Sequence, residues 1–218
     1  MTGARRVNLE PAFLLHHYPW RDTSRILELM TRTHGRVSVF SRASRRSGST
    51  ATGGALQPFT ESLVSWSGRG EAGHLTSAER VRPPATLAGD RLMSGFYANE
   101  LLLKLLPRED PHPRLFASYE TALAELAAGS AQAPVLRRFE LALLTELGYA
   151  LPLIVRGATL LALADGRYVD GETAVEAKRL MREVLDHYLE QRGVESRRVV
   201  QDLQALDEQH EKEIDRRD

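Results

Sequence analysis

The hydrophobic pattern of this chain changes period once, near residue 82, and that change limits its possible folds more than any single motif does. Before it, apolar residues come in short runs broken by polar ones; after it they recur at helical spacing. Side chains alternate faces along a strand but repeat about every 3.6 residues around a helix, so the two halves need different architectures.

The first half reads as five strands. "AFLLHHY" (12 to 18) is an apolar run with aromatic ends, stopped by a turn at Pro19 and Trp20. "SRILELMT" (24 to 31) sets Ile26, Glu28 and Met30 on one face and Leu27 and Leu29 on the other. "THG" then turns into "RVSVFSR", where Val37 and Val39 alternate with Arg36, Ser38 and Phe40, which predicts a hairpin. "FTESLVSW" (59 to 66), the turn "SGRG" and "AGHLTSAERV" (72 to 81) complete the set. Five short strands without a helix suit a small closed barrel of the OB type. The basic stretch between the third and fourth strands, "VFSRASRRSGSTATGGALQPFT" (39 to 60), has too few strands on either side to close a separate sheet. It therefore joins strands of one barrel.

From "RPPATLAG" onward the pattern is helical. Asp90 stands at an N-cap position before a helix that Pro107 ends. Helices over 113 to 129 and 133 to 149 close on Gly129 and Gly148, and further helices are predicted over 173 to 193 and beyond Ser196. The segment 151 to 172 reads ambiguously, a small hairpin packed on the helices being one form it can take. The expected fold is thus α+β: an N-terminal OB-fold β-barrel over 1 to 82, then a mainly α-helical domain over 83 to 218.

Charge divides at the same place. Residues 1 to 82 hold 12 arginines against 6 acids, and residues 83 to 218 hold 17 bases against 23 acids, so a net charge of zero hides a basic half and an acidic half. The basic half favours a polyanion. Nearly all the bases are arginine, which suits paired phosphate contacts; a GC-rich genome produces the same skew.

Several chemistries are excluded or unsupported. Without cysteine there is no disulfide, thiol nucleophile or cysteine-based metal site. The histidines lack HExxH spacing, "DGRYVDGE" lacks the alternating ligands of a calcium loop, and no GxGxxG, GxxxxGK[ST] or GxSxG occurs. We expect no enzyme activity, metal or cofactor. No apolar run nears the roughly 18 residues of a membrane span, and the N-terminus lacks a signal-peptide core, so a cytoplasmic protein is expected.

Two constellations remain. Arg42, Arg45 and Arg46, with Arg36 on the preceding strand, can line a flexible loop at the rim of the barrel and grip a sugar-phosphate chain. Trp20, Phe40, Phe59 and Trp66 are candidates for stacking on bases, or else ordinary barrel core. In the helical half, Arg137 and Leu141 lie four apart on one face and can seat a peptide that ends in an apolar residue and a carboxylate. The alternative is an internal pair between Arg137 and Glu140 or Glu100.

"FLLHHYPWRDTSRILELMTRTHGRV", "GGALQPFTESLVSWSGRGEAGHLTSAE", "SGFYANELLLKLL" and "LRRFELALLTELGY", in this order, resemble the RecO family of bacterial DNA repair proteins. The likeness is dense over residues 10 to 150. It implies a non-catalytic recombination mediator, nucleoid-associated in the cytoplasm, that binds single- and double-stranded DNA and anneals complementary strands. Such a protein works with RecR to place RecA on strands coated by single-stranded DNA-binding protein. The family's DNA-binding barrel surface maps onto Arg36, Arg42, Arg45 and Arg46, and its site for the C-terminal tail of single-stranded DNA-binding protein maps onto Arg137 and Leu141 of "LRRFELALL". Some members carry a four-cysteine zinc motif; without cysteine, segment 151 to 172 is expected to be metal-free. The competing reading is a protein–protein adaptor with incidental DNA affinity.

Overall fold

The computed structural model describes residues 5–20, 24–42, 56–68, 72–82, 86–149, 171–189 and 194–199. Five strands, β1 (Arg5–Trp20), β2 (Ser24–Thr31), β3 (Gly35–Arg42), β4 (Glu61–Gly68) and β5 (Ala72–Arg80), close into a barrel in the order β1-β2-β3-β5-β4. All pairs are antiparallel except β3 with β5. This is the OB arrangement expected from the spacing of the apolar runs.

β1 is longer than its apolar run because it serves two neighbours, β4 along Arg5–Phe13 and β2 along Ala12–Trp20. Register shifts between Val7 and Glu10 and between Leu14 and His16 bend it around the barrel, the usual consequence of an extra residue in one strand. Leu9, at the first shift, takes a positive φ of 50°. The interior is filled by Val7, Ala12, Leu14, Leu27, Leu29, Val37, Val39, Leu56, Val64, Trp66 and Ala78.

The helical part consists of α1 (Asp90–Leu105), α2 (Pro113–Ala127), α3 (Gln132–Glu146) and α4 (Gly171–Tyr188), with a short helical turn at 195–199. Pro113 opens α2, where a missing N–H costs nothing, and Gly129 and Gly148 follow α2 and α3 with φ of 88° and 69°. Asp90 is not the N-cap: it is the first helical residue, Gly89 precedes it with φ 55°, and no side chain caps the helix. The ambiguous segment 151 to 172 lies outside the described residues up to 170, and Gly171 already opens α4.

Barrel and helices share a second core. Phe13, Leu15, Met30 and Phe59 pack with Tyr97, Leu101, Leu102, Phe116, Tyr119 and Phe139. Phe13 meets Phe116 and Tyr119 at ring-centroid distances of 5.1 Å each. Asn99 donates through Nδ2 to the Leu15 carbonyl at 2.9 Å and accepts from the Tyr119 hydroxyl, so a polar bond crosses the apolar seam fully satisfied. At the other end of the seam, Glu109 N–H donates to the Arg36 carbonyl at 3.0 Å. Gly35 (φ 69°) lies so close to the Asp110 backbone that a Cβ there would collide with it. The loop after α1 is thereby laid along β3.

The outer face of the barrel is consequently covered by degrees. Along β2, Met30 is buried under the helices, Glu28 is buried at their edge, and Ile26 emerges. Phe59 and Trp66, stacking candidates by sequence, are core residues: Phe59 packs under α1 and Trp66 fills the barrel.

Candidate nucleic-acid interface

The uncovered part of that face carries an aromatic ladder. Residues paired across neighbouring strands point to the same side, so the register defines rows. Tyr18, Ile26, Phe40 and His74 form one row across β1, β2, β3 and β5. Trp20, Ser24 and Arg42 form the next row toward the rim. On the helical side a third row holds His16, Glu28 and Ser38. The rings touch within and between rows: Phe40 and His74 in one row have centroids 5.6 Å apart, and across rows Trp20 and Phe40 are 6.0 Å apart and His16 and Tyr18 4.5 Å.

Trp20 and Tyr18 keep 45% and 46% of their surface exposed. Large aromatics left so open, in one contiguous strip that none of the described residues covers, are unusual, and a strip of this shape offers π-faces to flat ligands. Arg42 is exposed at the end of β3, where the arginine-rich stretch begins. Arg45 and Arg46 lie outside the described residues. The structure thus brings Trp20, Phe40 and Arg42 together. Tyr18 and His74 join them, and the alternation His16, Tyr18, Trp20 along one strand was the signal that could have found Tyr18.

Arg36 is placed differently from Arg42. Its side chain is 14% exposed, its Nε donates to the Leu106 carbonyl at 2.9 Å, and its Nη1 meets Glu28 at 3.2 Å. Burial, and next the neighbouring Arg108 charge, hold its pKa below the usual guanidinium value. Arg36 ties the barrel to the end of α1 rather than standing free at the rim. Arg108, which sequence reasoning passed over, completes this cluster: its Nη2 meets the same Glu28 at 2.8 Å, and its Nη1 donates to Ser38.

His16 sits in the same row as Glu28. Its pKa is lowered, chiefly by burial and then by His17, against the opposing pull of Glu28. It is therefore neutral at neutral pH.

In the helical half, Arg137 is 14% exposed and bonds to Glu140 at 2.5 Å, one helical turn on. Glu140 is fully buried and also accepts from the Tyr97 hydroxyl at 2.7 Å, which in turn accepts from Arg197 at 2.8 Å. Burial pushes the Glu140 carboxyl up, against Arg137, Tyr97 and Arg197. Leu141, with Leu136 and Leu103, is partly buried against the core. Glu100 is engaged elsewhere, accepting from the backbone N–H groups of Glu195 and Ser196. Among the described residues no cluster of three or more His, Asp or Glu can hold a metal ion, and no helix is long and apolar enough to cross a membrane.

Two family models match the chain: Recombination protein O N terminal over residues 7–84 and Recombination protein O C terminal over residues 87–168. The chain belongs to the RecO family. Among RecO relatives, the DNA repair protein RecO of Azoarcus sp. (strain BH72) is 38% identical, covering 94% of this chain and 100% of its own. That of Aromatoleum aromaticum is 39% identical over the same shares, and that of Methylococcus capsulatus is 42% identical over 88% of this chain and 92% of its own. In this RecO chain Arg42, the first arginine of the basic stretch, ends β3 beside the open aromatic rows.

Proposed function

We propose that this chain is a non-catalytic mediator of DNA repair and recombination. It holds DNA on the open barrel face, anneals complementary strands and, with RecR, helps place RecA on strands coated by single-stranded DNA-binding protein. The observation that carries the DNA-binding part is the pair of adjacent rows in which exposed Tyr18 stands with Phe40 and exposed Trp20 stands with Arg42. A single strand offers bases to stack and phosphates to neutralise, and this face supplies both in adjacent rows. Pairing of complementary strands is downhill, so annealing needs only screened phosphates and accessible bases, with no fuel. Membership of a family of DNA repair proteins supports the same reading.

Arg42, Arg45 and Arg46 supply phosphate contacts and Trp20 a stacking surface. Arg36 acts in this reading through the position it gives its neighbours. Arg137 and Leu141 are the docking point for the acidic, apolar-ended tail of single-stranded DNA-binding protein, where the tail carboxylate competes with Glu140 for the guanidinium.

The test is fluorescence anisotropy of a labelled oligothymidylate over a range of salt. Replacing Arg42, Arg45 and Arg46 with Ala should lower the salt slope by about 0.7 per lost phosphate contact. Trp20→Ala should weaken binding by about 1–3 kcal/mol with an unchanged slope. Wild-type binding by both variants would leave the adaptor reading in place of this one.

A further inference from the structure

We propose that Glu28, Arg36, Ser38 and Arg108 form a phosphate subsite at the seam between barrel and helices, in which Arg108 makes the contact. The inference rests on the DNA-binding reading and extends the strand's path off the barrel onto the helical part.

Charge count is the first argument. Two guanidinium groups share one carboxylate, which is only 4% exposed. Both of its oxygens are taken: Oε1 accepts from Arg108 and from Ser38 at 2.6 Å, and Oε2 from Arg36. One positive charge is left over, and the partial repulsion it exerts is what Arg36 feels from Arg108.

Exposure says where that charge is available. Arg36 is 14% exposed and spends Nε on the Leu106 carbonyl, whereas the Arg108 side chain is 51% exposed. Arg108 uses Nη1 on Ser38 and Nη2 on Glu28, and of the five donors of a guanidinium the others meet no partner among the described residues. An arginine held from one side and open on the other is preorganised for a tetrahedral anion, because little side-chain freedom is left to lose.

Position identifies the anion. Glu28 and Ser38 stand one repeat along their strands from Ile26 and Phe40, about 6.8 Å. Tyr18 is near enough to act electrostatically on Arg36. A base stacked on Tyr18 or Phe40 therefore leaves its backbone within reach of Arg108. The placement is not accidental to the fold: the paired backbones of Arg36 and Arg108 and the Glu109 N–H bond to Arg36 fix the loop that carries Arg108 against β3.

The experiment compares oligothymidylate binding by wild type, Arg108→Gln, Arg108→Lys and Arg42→Ala across a salt series, with thermal melting as a fold check. We expect Arg108→Gln to lower the salt slope by about 0.7 and Arg108→Lys to keep it. Hydrogen exchange on the unmodified protein should show protection of residues 106–110 when the oligonucleotide binds, which does not depend on any variant folding. A wild-type slope for Arg108→Gln, or exchange protection confined to the barrel, overturns the subsite while Arg42→Ala still reports on the barrel face. If Arg42→Ala also leaves the slope untouched, the DNA-binding reading itself falls.

Discussion

Two buried carboxylates organise this molecule, and each has arginines around it. Glu28, at the seam, meets Arg36 and Arg108, and Glu140, among the helices, meets Arg137 and reaches Arg197 through Tyr97. The chemistry is nearly the same but the surroundings differ. Glu28 has both oxygens bonded and one half-exposed guanidinium, so its cluster opens onto the aromatic face. Glu140 has one oxygen without a partner, and so has the Nε of Arg137, and both arginines are mostly covered. A carboxylate that gathers arginines at an edge makes a charged surface; the same grouping inside a helical core makes an internal polar contact.

The largest expected difference is in stability. Glu28→Gln leaves the mostly buried Arg36 without its counter-charge, and removing one partner of such a pair costs about 3 kcal/mol. Glu140→Gln keeps the acceptor for Tyr97 and removes a charge that burial already disfavours, so its cost should be the smaller of the two. The pH dependence separates them further. The folded pKa of Glu140 is raised above 4.5, so its contribution is full below that value and is lost as pH rises through the folded pKa. Glu140→Gln should therefore flatten part of the fall in stability above about pH 4.5. Urea denaturation of both variants at several pH values tests this; equal losses would mean that the two clusters are electrostatically equivalent.

The closed cluster can also be asked whether it ever opens. If the tail of single-stranded DNA-binding protein docks at Arg137 and Leu141, its carboxylate displaces Glu140 from the guanidinium. Arg137→Glu should then weaken binding of the tail peptide by at least about tenfold, or ~1.4 kcal/mol. Glu140→Gln should tighten it by removing the competitor, and neither change should alter oligonucleotide binding. Calorimetric titration with the peptide reads this directly. Unchanged affinity in Glu140→Gln would make Arg137 an internal partner only.

The two regions were unequally legible in the sequence. β2 falls on its predicted residues, 24 to 31, because Leu27 and Leu29 alternate with Ile26, Glu28 and Met30, and an alternating run fixes a strand locally. The internal pairing of Arg137 with Glu140 was visible as an alternative since three residues on a helix is one turn. The Glu28 cluster was not visible: Arg108 is 80 residues away in sequence and arrives only through the loop that docks on β3. Aromatic residues were ambiguous for a similar reason. Trp20 and Trp66 are both in strands, and only barrel closure sends Trp66 inward while the bend in β1 turns Trp20 out.

The smallest effect follows from His16, which stands beside Glu28 in the open cluster. Burial and His17 lower its pKa, with Glu28 opposing, so at neutral pH it carries no charge on the face that meets DNA. A polyanion on that face favours the imidazolium, which raises the His16 pKa in the complex above its free value. Binding then takes up a proton, and linkage requires affinity to rise as pH falls through the pKa of His16 in the complex. The rise should be a few-fold and vanish in His16→Gln. Variants of Tyr18 and Arg42 should keep the pH response while losing affinity. Anisotropy titrations between about pH 5 and 8, the range in which a histidine changes charge, measure it. A pH response that survives in His16→Gln would detach the proton uptake from His16 and from the Glu28 cluster.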